Sequence, residues 1–89
     1  MLDLGARSIL DHFKSKPPRP EQADLIHALT PQETRVLEHL ASGRSNKQIA
    51  QELQLSEGTV RNYLSAVFAK LKVESRVAAA LIYSASRIR

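Results

Sequence analysis

Cysteine is absent from all 89 residues, which excludes disulfides and thiolate metal centres and suits a reducing cytosol. Aromatic bulk is scarce: two Phe, two Tyr and no Trp. A core must therefore be built from Leu, Ile, Val and Ala, which favours helix packing over a sheet. No apolar run approaches the roughly 18 residues needed to span a bilayer. The opening MLDLGARSILDHF carries Asp3 and Asp11 and lacks the basic-then-apolar layout of a signal peptide. The expectation is a soluble, cytoplasmic chain without membrane attachment, near the lower end of the size range that folds alone.

Catalytic groupings are missing too. His12, His27 and His39 are scattered, with no second ligand at metal-binding spacing. Ser, His and Asp are present, but no nucleophile elbow or ordered triad appears. Gly43 and Gly58 form no phosphate-binding loop. No catalytic residue, metal or cofactor is expected, and an enzyme is disfavoured.

What the chain does have is positive charge, unevenly placed. Residues 1–28 hold four basic and four acidic side chains; residues 29–89 hold nine basic and five acidic. From Gly58 onward six basic residues face Glu74 alone. A polyanionic partner fits this bias, although a solvated basic surface fits it equally.

KSKPPRPEQ, residues 14–22, reads as a proline-rich break, an extended linker that excludes helix. A short helix over 2–13 is expected before it, from Leu4, Ile9, Leu10 and Phe13. Residues 1–28 are thus expected to be a linker segment and residues 29–89 a domain. That domain reads as all-α, a four-helix bundle. Thr30-Pro31-Gln32-Glu33 makes a capping box with proline at the first helical position, and Val36, Leu37, Leu40 and Ala41 follow at helical spacing before Gly43. Ser45 with Gln48 caps a second helix with Ile49, Ala50 and Leu53 on its inner face. Ser56 begins a third, about 57–71, with Val60, Leu64, Val67, Phe68 and Leu71 along one stripe. Ser75 begins an alanine-rich fourth reaching at least Ser84.

A short second helix, a tight connection at Gln54-Leu55 and a longer third helix form the layout of a helix-turn-helix. With the apolar stripe inward, the 100° step turns Arg61, Asn62 and Ser65 outward. Arginine can pair with guanine O6 and N7, and asparagine with adenine N6 and N7.

Leu29-Thr30-x-x-Glu33-x-x-Val36-Leu37, Gly43-x-Ser45-Asn46-Lys47-Gln48-Ile49-Ala50 and Leu55-Ser56-x-x-Thr59-Val60-Arg61-Asn62-Tyr63-Leu64 resemble the LuxR-type (NarL/FixJ) DNA-binding domain. Lys70-Leu71-x-Val73-x-x-Arg76 continues the resemblance, which spans about residues 29–83. It implies a four-helix bundle containing a helix-turn-helix, in a transcription regulator that binds double-stranded promoter DNA as a homodimer, in solution or only on DNA. Arg61, Asn62 and Ser65 match base-reading positions, and Asn46, Lys47, Thr59, Tyr63 and Lys70 match positions near phosphates. Tyr63 stands where histidine is common and Ser65 where a longer, often basic side chain is common, so base preference cannot be copied from relatives. The resemblance also implies an effector domain of a two-component response regulator, with RNA polymerase as a further partner. Two readings compete with it: a helical protein-docking module, and a helix-turn-helix of another class such as a sigma-factor domain.

On the fourth helix, Val77, Ala78 and Leu81 share one face, while Ala79, Ala80 and Tyr83 share another. The second is expected to cover the core, leaving Val77, Ala78 and Leu81 outward as a pairing surface. Glu33 is expected to be structural, closing its capping box and pairing with a basic group such as Arg76. His39 is expected at the surface or its boundary. A chain beginning near Asp24 is expected to keep its stability and DNA affinity.

Overall fold

A computed structural model of the chain describes residues 20–87. The expected helix over 2–13 and most of the proline-rich break lie outside these residues. The described part is all-helical: a 3-10 helix Pro20–Ala28, then α1 (Pro31–Ala41), α2 (Asn46–Leu53), α3 (Glu57–Leu71) and α4 (Arg76–Arg87). Val36, Leu37, Ile49, Val60, Val67, Leu71 and Ala79 are fully shielded from solvent and form one core with Leu40, Leu64, Ile82 and Tyr83. Each large aliphatic side chain so buried contributes about 1.5–3 kcal/mol before entropy is counted. The expected inner stripe of α3 is this core's central wall, with Phe68 partly buried against it.

The helix starts follow the sequence closely. Thr30 Oγ1 accepts from the Glu33 N–H at 3.1 Å, and Glu33 Oε1 accepts from the Thr30 N–H at 2.9 Å. Ser45 and Gln48 repeat the reciprocal arrangement at 3.2 and 2.9 Å. Both boxes satisfy backbone donors that a helix N-terminus leaves orphaned. The helix ends follow it less well. All three of α1, α2 and α3 close with a left-handed residue and an N–H that reaches five residues back. After α1 that residue is Gly43, with φ +88°; after α2 and α3 it is Gln54 and Lys72, each at φ 59°. The Leu55 N–H donates to the Ala50 carbonyl at 2.8 Å and the Val73 N–H to the Phe68 carbonyl at 3.0 Å, so the closing bonds form without glycine.

Three expectations need correction. The break does not extend to residue 22: Pro20 opens a helical turn, a position where its fixed φ and missing N–H cost nothing. Residues 20–28, expected to belong to the linker segment, instead pack on the bundle. Leu25 and Ile26 pack on the core, and Gln22 Nε2 donates to the carbonyls of Leu71 and Lys72 at 2.9 and 3.0 Å. Those carbonyls sit at the end of α3, where no intrahelical donor remains.

The third correction concerns polar pairing. Glu33 pairs with Lys70 rather than Arg76: Lys70 Nζ donates to Glu33 Oε1 at 2.7 Å. Burial pushes the Glu33 carboxyl up, but the Lys70 hydrogen bond, the Thr30 backbone N–H and the Lys70 charge outweigh it and hold the group below its ordinary value. On the far side of α1, Tyr83 Oη donates to Glu38 Oε2 at 2.9 Å, and Arg87 lies over the Tyr83 ring with its Cζ 5.6 Å from the ring centre. Burial and then Glu38 push the Tyr83 phenol up, against the opposing pull of Arg87.

Candidate nucleic-acid interface

The turn between α2 and α3 is three residues, Gln54-Leu55-Ser56, and Leu55 anchors it by packing on the core. Ile49 and Ala50 from α2 and Val60 and Leu64 from α3 are buried together, which fixes the pair as a unit. Their opposite faces meet solvent. Arg61, Asn62 and Ser65 are all exposed on α3, as the 100° step requires, and no hydrogen bond or ion pair engages any of the three among the described residues.

Around this face lie the residues matched to phosphate positions, and they divide into two groups. Lys47 is exposed at the start of α2 with no ion pair among the described residues. Thr59 Oγ1 accepts from the Ser56 hydroxyl at 2.9 Å, which leaves its own proton free to donate outward. Tyr63 is half-buried, its ring against the core. Asn46 and Lys70, by contrast, are already engaged. Arg76 Nη1 donates to Asn46 Oδ1 at 2.7 Å, and Lys70 is held by Glu33. The Lys70 ammonium thus has a partner within the bundle, held through one of its three N–H donors, a pairing that the motif does not show.

Gly58 lies in the first turn of α3. A Cβ there would meet only Arg61 Nη2 at 3.7 Å and Ser56 Oγ at 3.9 Å, ordinary contacts. The Arg61 guanidinium therefore lies back over the start of its own helix. Its long stem leaves it free to swing outward.

On α4, Val77 is 53% exposed and Leu81 45%. Ala78, expected beside them, is buried at 2%. Ala79 and Tyr83 line the core as expected, whereas Ala80 is only half-buried and Ile82 takes the inner position. The rotation follows from size: the larger Ile82 contributes more apolar area inside than Ala80 could. The outward apolar patch is thus Val77 and Leu81 without Ala78.

Among the polar links to the helix-turn-helix that sequence reasoning missed, two engage backbone carbonyls. One is Gln22 at the end of α3. The other is Arg76, which also donates from Nη2 to the Arg44 carbonyl at 3.1 Å and so ties α4 to the start of α2. A signal for the second was present: a cation at a helix N-terminus is disfavoured by the helix dipole, so its side chain needs an acceptor elsewhere.

A core-anchored short helix, a tight turn and a longer helix with an open polar face define a helix-turn-helix DNA-binding domain. The family model described as "Bacterial regulatory proteins, luxR family" matches residues 27–83. The chain belongs to that family. It is 51% identical over 51 residues to the transcriptional regulatory protein DesR of Bacillus subtilis, covering 57% of this chain and 26% of DesR. It is 41% identical over 86 residues to the DNA-binding transcriptional activator DevR/DosR of Mycobacterium tuberculosis, covering 89% and 40%. It is 44% identical over 66 residues to the nitrate/nitrite response regulator protein NarP of Escherichia coli, covering 74% and 31%. The chain therefore spans between about a quarter and two fifths of the length of these curated relatives.

Proposed function

We propose that this chain reads promoter DNA with α3 in the major groove, where Arg61, Asn62 and Ser65 meet base edges. The observation that carries the reading is their shared exposure on one face with every polar group open. Arginine and asparagine are the side chains best suited to bidentate contacts with guanine and adenine. Lys47, Thr59, Tyr63 and the free amide hydrogens of Asn46 contact phosphates around them. Lys70 joins this set through the N–H donors that its Glu33 bond leaves unused.

One domain of this size makes few base contacts, so two copies pair on two half-sites. Val77 and Leu81 supply the pairing surface; it is small, and pairing occurs mainly on DNA. The likeness to DesR, DevR/DosR and NarP supports a role as the effector part of a cytoplasmic response regulator that recruits or obstructs RNA polymerase.

The test begins with selection of binding sites from random duplexes, comparing wild type with Arg61→Ala. The variant costs about 1–3 kcal/mol on the preferred site and relaxes one base position per half-site. An unchanged site profile would show that α3 does not face the bases. A protein-docking module would show no salt-sensitive DNA affinity at all. For pairing, Leu81→Glu abolishes cooperative binding to a two-half-site duplex and leaves half-site affinity intact; retained cooperativity would move the pairing surface elsewhere.

A further inference from the structure

We propose that Arg76 is a positioning residue for DNA binding, orienting the Asn46 side-chain amide toward a phosphate without touching DNA itself. The inference rests on the DNA-binding reading above. Its basis is an asymmetry of donors and acceptors. A guanidinium carries N–H donors and no acceptor, so the atom of Asn46 that faces it must be the carbonyl oxygen. The 2.7 Å contact from Nη1 to Oδ1 therefore fixes the amide against a flip. The second fork of Arg76 is held by the Arg44 carbonyl at 3.1 Å, so the guanidinium itself cannot turn without losing a bond.

The amide nitrogen then points the other way. Nδ2 has no protein partner among the described residues, and no buried polar side-chain atom is left without one, so Nδ2 is open to solvent. Asn46 is the first residue of α2, beside exposed Lys47. Two amide hydrogens held there in one orientation suit a phosphate oxygen, a charged acceptor, without an entropic cost of ordering at the moment of binding. An Asn at this place without Arg76 could present its oxygen instead, which repels the phosphate.

A double-mutant cycle on the full 89-residue chain tests this. Affinity for a fluorescein-labelled mixed-sequence duplex is measured by anisotropy over a series of salt concentrations, well below each variant's thermal midpoint. Asn46→Ala and Arg76→Ala each weaken binding by roughly ten- to a hundred-fold, the scale of one hydrogen bond to a charged group. The double variant weakens it no further than Asn46→Ala. The salt slope of Arg76→Ala matches that of wild type, since Arg76 neutralises no phosphate. The same cycle run with Arg76→Gln keeps the stem and removes the fork, and gives the same non-additivity if Arg76→Ala does not fold. Additive losses, or a slope lower by about one unit, overturn the proposal by showing that Arg76 meets DNA directly. An Asn46→Ala variant that binds like wild type also overturns it. Failure of the wild type to bind the duplex in a salt-sensitive way is a different result, and sinks the DNA-binding reading itself.

Discussion

On the side of the bundle where α1 meets α3 and α4, polar groups are tied to one another. Glu33 holds Lys70, Glu38 holds Tyr83, and Arg87 closes on Tyr83. On the outward face of the helix-turn-helix, Arg61, Asn62, Ser65 and Lys47 pair with none of the described residues. The two sides have similar residue types and opposite uses for them. Glu33 and Tyr83 are buried, and a buried polar group without a partner costs about 1–3 kcal/mol, so pairing on the first side supports the fold. Solvated groups on the second side cost nothing to leave open, and their hydrogen-bonding capacity stays available to an external partner. Stability and recognition are therefore expected to respond to different substitutions.

The largest effect is expected on the tied side. Glu33→Ala removes half of the first capping box and leaves Lys70 without its counter-charge. It should destabilise the fold by about 2–3 kcal/mol, discounted because the Lys70 end is over a third exposed. That is a drop of roughly 10 °C or more in thermal midpoint for a domain of this size. Base preference of the folded protein should not change. The pH dependence follows from a folded pKa below the ordinary value of 4.5. The contribution is fully present above that ordinary value and is lost as pH falls from about there through the lowered one. Thermal melts of wild type against Glu33→Gln should converge on acidification through this window. Melts that stay parallel would remove the carboxylate from the account.

Next in size is the N-terminal 3-10 helix. A chain beginning at Leu29 loses the Leu25 and Ile26 packing and both Gln22 bonds, and should be destabilised by about 2 kcal/mol. Gln22→Ala alone should cost roughly 1 kcal/mol, since it orphans the last carbonyls of α3. If the shortened chain melts with the full one, residues 20–28 do not belong to the tied side at all.

The sequence announces features settled within a turn of helix and conceals those settled across the bundle. Thr30 with Glu33 and Ser45 with Gln48 are three residues apart, and their chemistry admits little besides a helix start. The outward turn of Arg61, Asn62 and Ser65 follows from one apolar stripe. Lys70 and Glu33 are 37 residues apart, Arg76 and Asn46 30, and Tyr83 and Glu38 45, and nothing local ranks one basic partner over another. The alanine-rich helix misled for a further reason. Alanine is tolerated inside and outside, so the rotation of α4 was decided by Ile82, and Ala78 went in with it. Gln54 and Lys72 closed helices in the left-handed region without the glycine that normally signals such an end.

A smaller effect separates charge from fold on the open side. Lys47→Ala should weaken binding to specific and mixed-sequence DNA alike and lower the salt slope by about one unit. Its stability should change by no more than about 0.5 kcal/mol, because no ion pair engages the ammonium among the described residues. A loss confined to one preferred sequence would instead make Lys47 a reader of bases.

A small effect in stability is the most direct test of the contrast, because it should carry opposite signs on its two readouts. Gly58 has room for a methyl group, with only the ends of the Arg61 and Ser56 side chains at 3.7 and 3.9 Å. It also has no left-handed φ that would demand glycine. Gly58→Ala should therefore raise stability by about 0.5 kcal/mol, through helix propensity and a less flexible unfolded chain. Nothing in the isolated fold explains glycine here. Under the proposed docking, close approach of the α3 backbone to DNA would, and so would freedom of the Arg61 guanidinium to leave its resting place over that turn. The variant should accordingly melt higher and bind its selected duplex more weakly. Equal or tighter binding would show that the first turn of α3 stands away from the DNA, and that the open face begins at Arg61.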